Sequence, residues 1–261
     1  MKLKIYQVDA FTDKIFKGNP ASVCPLDTWL SDEILQNIAL ENNQSETAFM
    51  VRKEDRIEIR WFTPTVEVDL CGHATVASAH VAKIHLGYRE EVLPFYSPRS
   101  GWLPVTEKEG LYTLDFPSDF IHEIEFVSSY KDLFSENPIK VYKGKVDLIF
   151  EFETESQVKN LIPNLNEIKK IPVRGIIVTS KGEKYDFVSR FFGPASGIDE
   201  DPVTGSAHTS LIPFWSKILG KKNLLAYQHS KRGGELICVW AHERCLISGK
   251  AITYMQGEIT I

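Results

Sequence analysis

No stretch of this 261-residue chain is apolar for the roughly 18 residues that a bilayer-spanning helix requires. The opening Met1-Lys2-Leu3-Lys4-Ile5-Tyr6-Gln7-Val8 alternates like a strand, where a secretory signal would carry a continuous apolar core. A cytoplasmic protein with no membrane partner is therefore expected. Basic charge is also in short supply: 30 Lys and Arg face 35 Asp and Glu, for a formal net charge of -5. Those cations are scattered, leaving no positive stripe for a phosphate backbone, which argues against nucleic acid. The four cysteines, Cys24, Cys71, Cys238 and Cys245, include no C-x-x-C pair, and none of the seven histidines falls in H-x-x-x-H or H-E-x-x-H. These spacings lack the signature of a zinc site or a disulfide framework, so free thiols and no structural or catalytic metal are expected.

What the chain does have is a copy of itself. Arg60-Trp61-Phe62-Thr63-Pro64, with Asp69 five residues beyond Pro64, returns 130 positions later as Arg190-Phe191-Phe192-Gly193-Pro194 with Asp199. A second echo, Ser97-Pro98-Arg99-Ser100-Gly101-Trp102-Leu103 against Ser230-Lys231-Arg232-Gly233-Gly234-Glu235-Leu236, has an offset of 133. Two echoes at nearly one spacing point to two homologous halves rather than to a solenoid of short repeats. A hydrophobic content of 43% supplies enough apolar material for two cores. Like halves favour a small-molecule site where they meet.

Strand-like segments in the first half are Leu3–Ala10, Thr47–Arg52, Ile57–Phe62, Val92–Tyr96, Trp102–Glu107 and Leu111–Phe116. A helix is expected over Ser31–Glu41, with Ser31 as N-cap and Ile34, Leu35, Ile38 and Ala39 on one stripe. The second half repeats the plan with strands around Lys145–Phe152, Gly175–Ser180, Tyr185–Phe192, Leu224–Gln228, Leu236–Trp240 and Glu243–Lys250. There Thr154-x-x-Gln157 reads as a capping box, and a linker is expected near Pro117–Pro138. After each copy of the first echo comes a different kind of segment. Leu70 to Gly87 reads as a helix that is small or apolar on almost every face, which must be enclosed. Its counterpart begins at Gly205-Ser206 and runs to Gly220, with Pro213 expected to kink or shorten it. The economical architecture is α+β, with each half a strongly curved sheet wrapped on its own helix.

A helix N-terminus leaves backbone N–H groups unpaired and carries about half a positive charge, so starts at Gly72-His73 and Gly205-Ser206 are candidate seats for a carboxylate. Proton movement at carbon needs groups of tunable pKa. The candidates are Glu46, at the mouth of the apolar strand Ala48-Phe49-Met50-Val51, His73 at the first helix start, and Asp201 before the second. At the offset of 128 that superposes the following strands, Glu46 meets Arg174, so the repeat is chemically asymmetric and one active site per chain is expected. At the offset of 130, Asp201 stands opposite Cys71. Taken singly, each of these residues has a plain structural reading: a solvated edge glutamate, a capping histidine, an N-cap aspartate. Gly18-Asn19-Pro20-Ala21 is by itself a turn signal.

Assembled in order, four motifs carry a resemblance that spans the whole chain. They are Val8-Asp9-Ala10-Phe11-Thr12 with Gly18-Asn19-Pro20-Ala21, then Gln44-Ser45-Glu46-Thr47-Ala48-Phe49, then Arg60-Trp61-Phe62-Thr63-Pro64 through Asp69-Leu70-Cys71-Gly72-His73-Ala74-Thr75, and Gly193-Pro194 through Glu200-Asp201-Pro202-Val203-Thr204-Gly205-Ser206-Ala207-His208. The chain resembles the phenazine biosynthesis PhzF-like family, within the diaminopimelate epimerase-like superfamily. The resemblance implies two similar domains, 1–117 and 118–261 with the C-terminal strand able to cross into the first. Each is a curled, mostly antiparallel sheet round a central helix, with an active site in the cleft and a homodimer as the assembly. It implies a cofactor-independent isomerase that moves a proton at carbon in a small carboxylate, with Glu46 as general acid/base assisted by His73 and Asp201. Asn19, Ser45, Gly72, Gly205 and Ser206 would hold the substrate. The racemase and epimerase branches place two cysteines at the helix entrances, whereas here Cys71 faces Asp201, which argues against a two-thiol mechanism. A Cys71-dependent epimerase and a small-carboxylate binding protein remain as alternatives.

Overall fold

A computed structural model describes residues 1–261, apart from the side chain of Ser196. The chain forms two compact units, one of Met1–Asp115 with Ser248–Ile261, the other of Phe116–Ile247. Strands dominate and helices are few, an α+β fold in which each unit has an inner helix.

In the first unit, Lys2–Ala10 is flanked by Asn19–Leu26 and by the last strand of the chain, Ala251–Thr260, both antiparallel. Asn19–Leu26 then pairs parallel with Thr47–Arg52, which is antiparallel to Ile57–Phe62. The helix Asp32–Asn42 begins where the sequence indicates, with the Ser31 hydroxyl accepting from the Ile34 N–H, and Leu35, Ile38 and Ala39 buried. These three pack with Ile5, Cys24, Leu26, Phe49, Val51 and Phe62 in a core on one side of the sheet. The inner helix, Gly72–His80, packs on Lys2–Ala10, Asn19–Leu26, Thr47–Arg52, Val105–Lys108 and Ala251–Thr260. Every residue from His73 to His80 is buried, as a helix apolar on all faces requires. It does not run as a regular α-helix to the Gly87 stop: Val81–His85 forms a π-helical turn, with the Leu86 N–H donating to Val81 O at 3.1 Å.

In the second unit the strand order is His122–Ile124, Lys140–Lys143, Asp147–Glu151, Gly175–Lys181, Phe187–Gly193, Asn223–Gln228, Gly234–Ala241 and Arg244–Gly249. Two of those pairings are parallel, Asp147–Glu151 with Gly175–Lys181 and Phe187–Gly193 with Asn223–Gln228. The capping box at Thr154 is formed in both directions and opens the helix Glu155–Asn160. The segment expected as a linker belongs to this unit, since His122–Ile124 pairs with Lys140–Lys143. Asp119 in that segment accepts from Lys145 N and from Ser210 Oγ.

The inner helix of the second unit, His208–Leu219, runs through Pro213, so the proline does not end it. A proline removes the donor for the carbonyl four residues earlier. Here that carbonyl, Thr209 O, accepts from the Asp119 N–H at 3.0 Å, so the helix continues without stranding an acceptor. The helix also begins later than expected, at His208, and Gly205 and Ser206 lie in the turn that leads into it.

The echo that reveals the duplication has a structural reason. Arg60 makes a two-pronged pair with Glu67, at 2.7 and 2.9 Å, and lies 5.1 Å from the centre of the Phe62 ring. Arg190 does the same with Glu200, at 2.7 and 3.1 Å, over Phe192 at 4.9 Å. In each half a strand arginine is thus clamped between a carboxylate and its own i+2 aromatic ring, an arrangement with fixed geometry and low exposure. The copied arginine and aromatic, each joined by a glutamate at its own spacing, hold each sheet to the chain that precedes its inner helix.

Candidate active site

Glu46 is the residue immediately before Thr47–Arg52, and its backbone carbonyl accepts from Ser22 N, which fixes it beside the end of Asn19–Leu26. Only 9% of Glu46 is exposed. Its Oε2 lies 3.3 Å from His73 Nε2. The Cys71 Sγ lies 3.5 Å from the other ring nitrogen, Nδ1. The His73 ring therefore stands between a carboxyl and a thiol, with Ser45 Oγ a further 3.5 Å from Nε2. Burial pushes the Glu46 carboxyl above the usual carboxylate range, against hydrogen bonds from Ser45 and Cys71 that pull it down.

The backbone around this group is held firmly. Cys71 is the N-cap of the inner helix without a side-chain cap bond, Gly72 is its first residue, and the Cys71 carbonyl accepts from both N and Oγ1 of Thr75, at 3.1 and 2.6 Å. Ser45 Oγ donates to Pro20 O at 3.4 Å, which ties the glutamate loop to Asn19–Leu26, where Asn19 is buried. Asn19, Ser45, Glu46, Gly72 and His73, widely spaced in sequence, are thus gathered in one unit round the start of one helix. The donor atoms of Glu46, Cys71 and His73 all lie within 4.8 Å of one another, close enough to share a cation. Ligand spacing along the chain gives no sign of this group, because Glu46 meets the helix start 25 positions on only through the packing of that helix against Thr47–Arg52.

In the second unit Asp201 ends the short strand Ile198–Asp201 and is buried. Its Oδ2 accepts a short hydrogen bond from Thr204 Oγ1. Gln228, fully buried, donates from Nε2 to Asp201 O at 2.8 Å and to Thr204 Oγ1 at 3.1 Å, and accepts from Thr204 N at 2.9 Å. Neither Thr204 nor Gln228 carries a sequence signal for this role, since a glutamine ending a strand does not announce that it braces a loop. Arg174, noted only as the repeat partner of Glu46, forms a two-pronged pair with buried Asp147 and donates from Nη1 to Ser206 Oγ at 2.8 Å. In both units, then, the residue just before a strand reaches the start of its own inner helix. One unit places a carboxyl there and the other a guanidinium.

A family model described as "Phenazine biosynthesis-like protein" matches residues 8–257. The chain is 47% identical over 261 residues to an uncharacterized isomerase of Pseudomonas aeruginosa, with all of both chains covered. A crystal structure of a phenazine biosynthesis protein of the PhzF family from Enterococcus faecalis superposes with a TM-score of 0.97 at 44% identity, again covering all of both chains. A probable proline racemase from Agrobacterium radiobacter shares the fold alone, at a TM-score of 0.67 and 10% identity over 99% of this chain and 93% of that one.

Proposed function

The chain belongs to the phenazine biosynthesis-like family, and from that premise we propose that it is an isomerase in which Glu46 takes a proton from carbon in a small carboxylate and returns it at another position. The observation that carries this reading is the buried Glu46 carboxyl in contact with His73 and Cys71 at a helix start. A carboxyl whose pKa is raised by burial is a stronger base when ionised and a better-retained acid when protonated, which suits a group that must do both. His73 steadies the charge that appears on Glu46 and accepts or supplies a proton at Nε2. The backbone N–H groups at the start of Gly72–His80, with the partial positive charge of the helix, offer a seat for the substrate carboxylate or for an enolate oxygen. In the second unit Asp201, held by Thr204 and Gln228, is the proposed further acid/base group, with Gly205 and Ser206 as proposed backbone and side-chain donors.

The test is exchange with solvent. In deuterium oxide, an isomerised or recovered small carboxylate should carry label at carbon, and Glu46→Gln should lower exchange by about 10²- to 10⁴-fold, the usual worth of a general acid/base. Full turnover in that variant removes the assignment. The acid limb of kcat/KM should lie above the usual carboxylate range, because ionisation of Glu46 is delayed by burial. A second reading, in which Cys71 is the proton-carrying or nucleophilic thiol, is favoured by the 3.5 Å approach of Sγ to His73 Nδ1. Cys71→Ala decides between them: retained exchange excludes the thiol, and complete loss with an intact fold favours it.

A further inference from the structure

We propose that Glu46, Cys71 and His73 bind a thiophilic divalent cation of the zinc or cadmium class, and that its binding silences the site. Three different donors converge here, a carboxylate oxygen, a thiol sulfur and an imidazole nitrogen, all within 4.8 Å of one another and all on buried residues. Two contacts bring the donors together, 3.3 Å from His73 Nε2 to Glu46 Oε2 and 3.5 Å from Cys71 Sγ to His73 Nδ1, one at each ring nitrogen. Tetrahedral zinc, with bonds of about 2.0–2.3 Å, sets its neighbouring ligand atoms about 3.3–3.7 Å apart. The imidazole can lend only one nitrogen to an ion, so a rotation of the ring or of the thiol closes the third side of the triangle, within the distance already set.

A separate observation points the same way. Glu46 Oε2 is buried and, although it stands beside His73, it has no hydrogen bond of good geometry among the described residues. A buried carboxylate oxygen in that position is an acceptor that a cation can satisfy. Charge also balances: a thiolate and a carboxylate neutralise a divalent ion, which outweighs the half-charge of opposite preference at the helix start. When the ion binds, Cys71 gives its proton to the buffer, one metal–sulfur bond forms, and no electron changes hands. The sulfur and nitrogen donors select zinc, cadmium or cobalt over magnesium and calcium, which demand six or more oxygens. Three protein ligands leave a fourth position for water, so the ion needs nothing further from the chain.

The proposal uses the residues of the proposed isomerase site but is read without turnover. Cobalt(II) chloride titrated into the purified protein should produce tetrahedral ligand-field bands in the visible and a sulfur-to-cobalt charge-transfer band, at one ion per chain. Zinc should displace it and magnesium should not. Cys71→Ser should abolish the charge-transfer band, and Glu46→Gln and His73→Asn should each weaken cobalt binding at least tenfold, with circular dichroism verifying the fold of each. A charge-transfer band that survives Cys71→Ser, or the absence of any tetrahedral spectrum, overturns the site. Where a substrate is in hand, stoichiometric zinc should suppress deuterium exchange and a chelator should restore it. Undiminished exchange in the zinc-loaded protein overturns the silencing. A protein that shows the cobalt spectrum but exchanges no substrate proton would instead count against the isomerase reading alone.

Discussion

Gly18 holds a positive φ of 64°, and a Cβ placed on it would stand 2.1 Å from Ala10 O and 2.7 Å from Thr12 Cγ2. The turn before Asn19 therefore requires glycine for both conformation and space. Gly18→Ala should destabilise the protein by about 1–3 kcal/mol, visible as a lowered Tm, with the loss appearing in stability before chemistry. An unchanged Tm would show that the neighbouring backbone yields at little cost. At this scale the sequence conveys a turn at Gly18-Asn19-Pro20 but not its contacts. Glu46 is legible only through its motif, since a glutamate before a strand says nothing about burial. Its contacts with Cys71 and His73 depend on pairings between distant segments. Thr204 and Gln228 escaped notice for the same reason: their roles are defined by each other and by Asp201, not by spacing.

Elements with strong local signals are legible in the sequence. Thr47–Arg52 and Ile57–Phe62 end where alternation ends, and the caps at Ser31 and Thr154 are both formed. Asn19–Leu26 was missed because Pro20 and Pro25 argue against an interior strand; the structure places them second and seventh of eight residues, near the ends where the ladder loses least. The π-helical turn Val81–His85 has no sequence signature, yet it sets two histidines on one partner. His80 Nε2 and His85 Nε2 lie 3.0 and 2.7 Å from Thr253 Oγ1, and His80 Nδ1 lies 3.2 Å from the Tyr112 hydroxyl. His85 also stacks on Tyr6.

That cluster should make the protein sensitive to acid. Burial, with the nearby His85 charge, lowers the His80 pKa from 6.5 to about 4. The unfolded chain then binds a proton more readily than the folded one, so the stability His80 contributes is present above pH 6.5 and is lost as pH falls towards 4. The difference amounts to about 3 kcal/mol at its full extent. His80→Gln should be less stable than the parent at pH 7.5 but lose less on going to pH 5, as read from urea midpoints. Parallel losses in the two proteins would place the acid sensitivity elsewhere.

Over the whole molecule, the duplication is legible in the residues themselves, whereas the closing of the chain onto its first strand follows only from the family resemblance. Ile261 N donates to Met1 O at 2.9 Å, and Lys2–Ala10 runs in register with Ala251–Thr260 apart from one bulge. Periodicity marks Leu3–Ala10 as a strand but gives no sign of Ala251–Thr260, and it carries no information on which strand a distant one will join. Because the ends lie together, a circular permutant joined by a short Gly-Ser linker and opened at Glu109-Gly110 should fold with a Tm within a few degrees of the parent. That turn links Val105–Lys108 and Leu111–Pro117, and Glu109 and Gly110 are exposed. Failure of this permutant to fold, with the same linker tolerated as a simple C-terminal extension, would mean that the order of the strands along the chain matters as well as their pairing.

The first unit is made from both ends of the polypeptide, whereas the second is one continuous stretch. During synthesis the earlier-translated part must wait for Ala251–Thr260 before its sheet can be completed, while Phe116–Ile247 has all its residues in hand sooner. While Ala251–Thr260 is still held in the ribosome, the nascent chain would therefore carry a middle that can mature and a beginning that keeps one sheet edge open, and that edge is where a chaperone would find its hold.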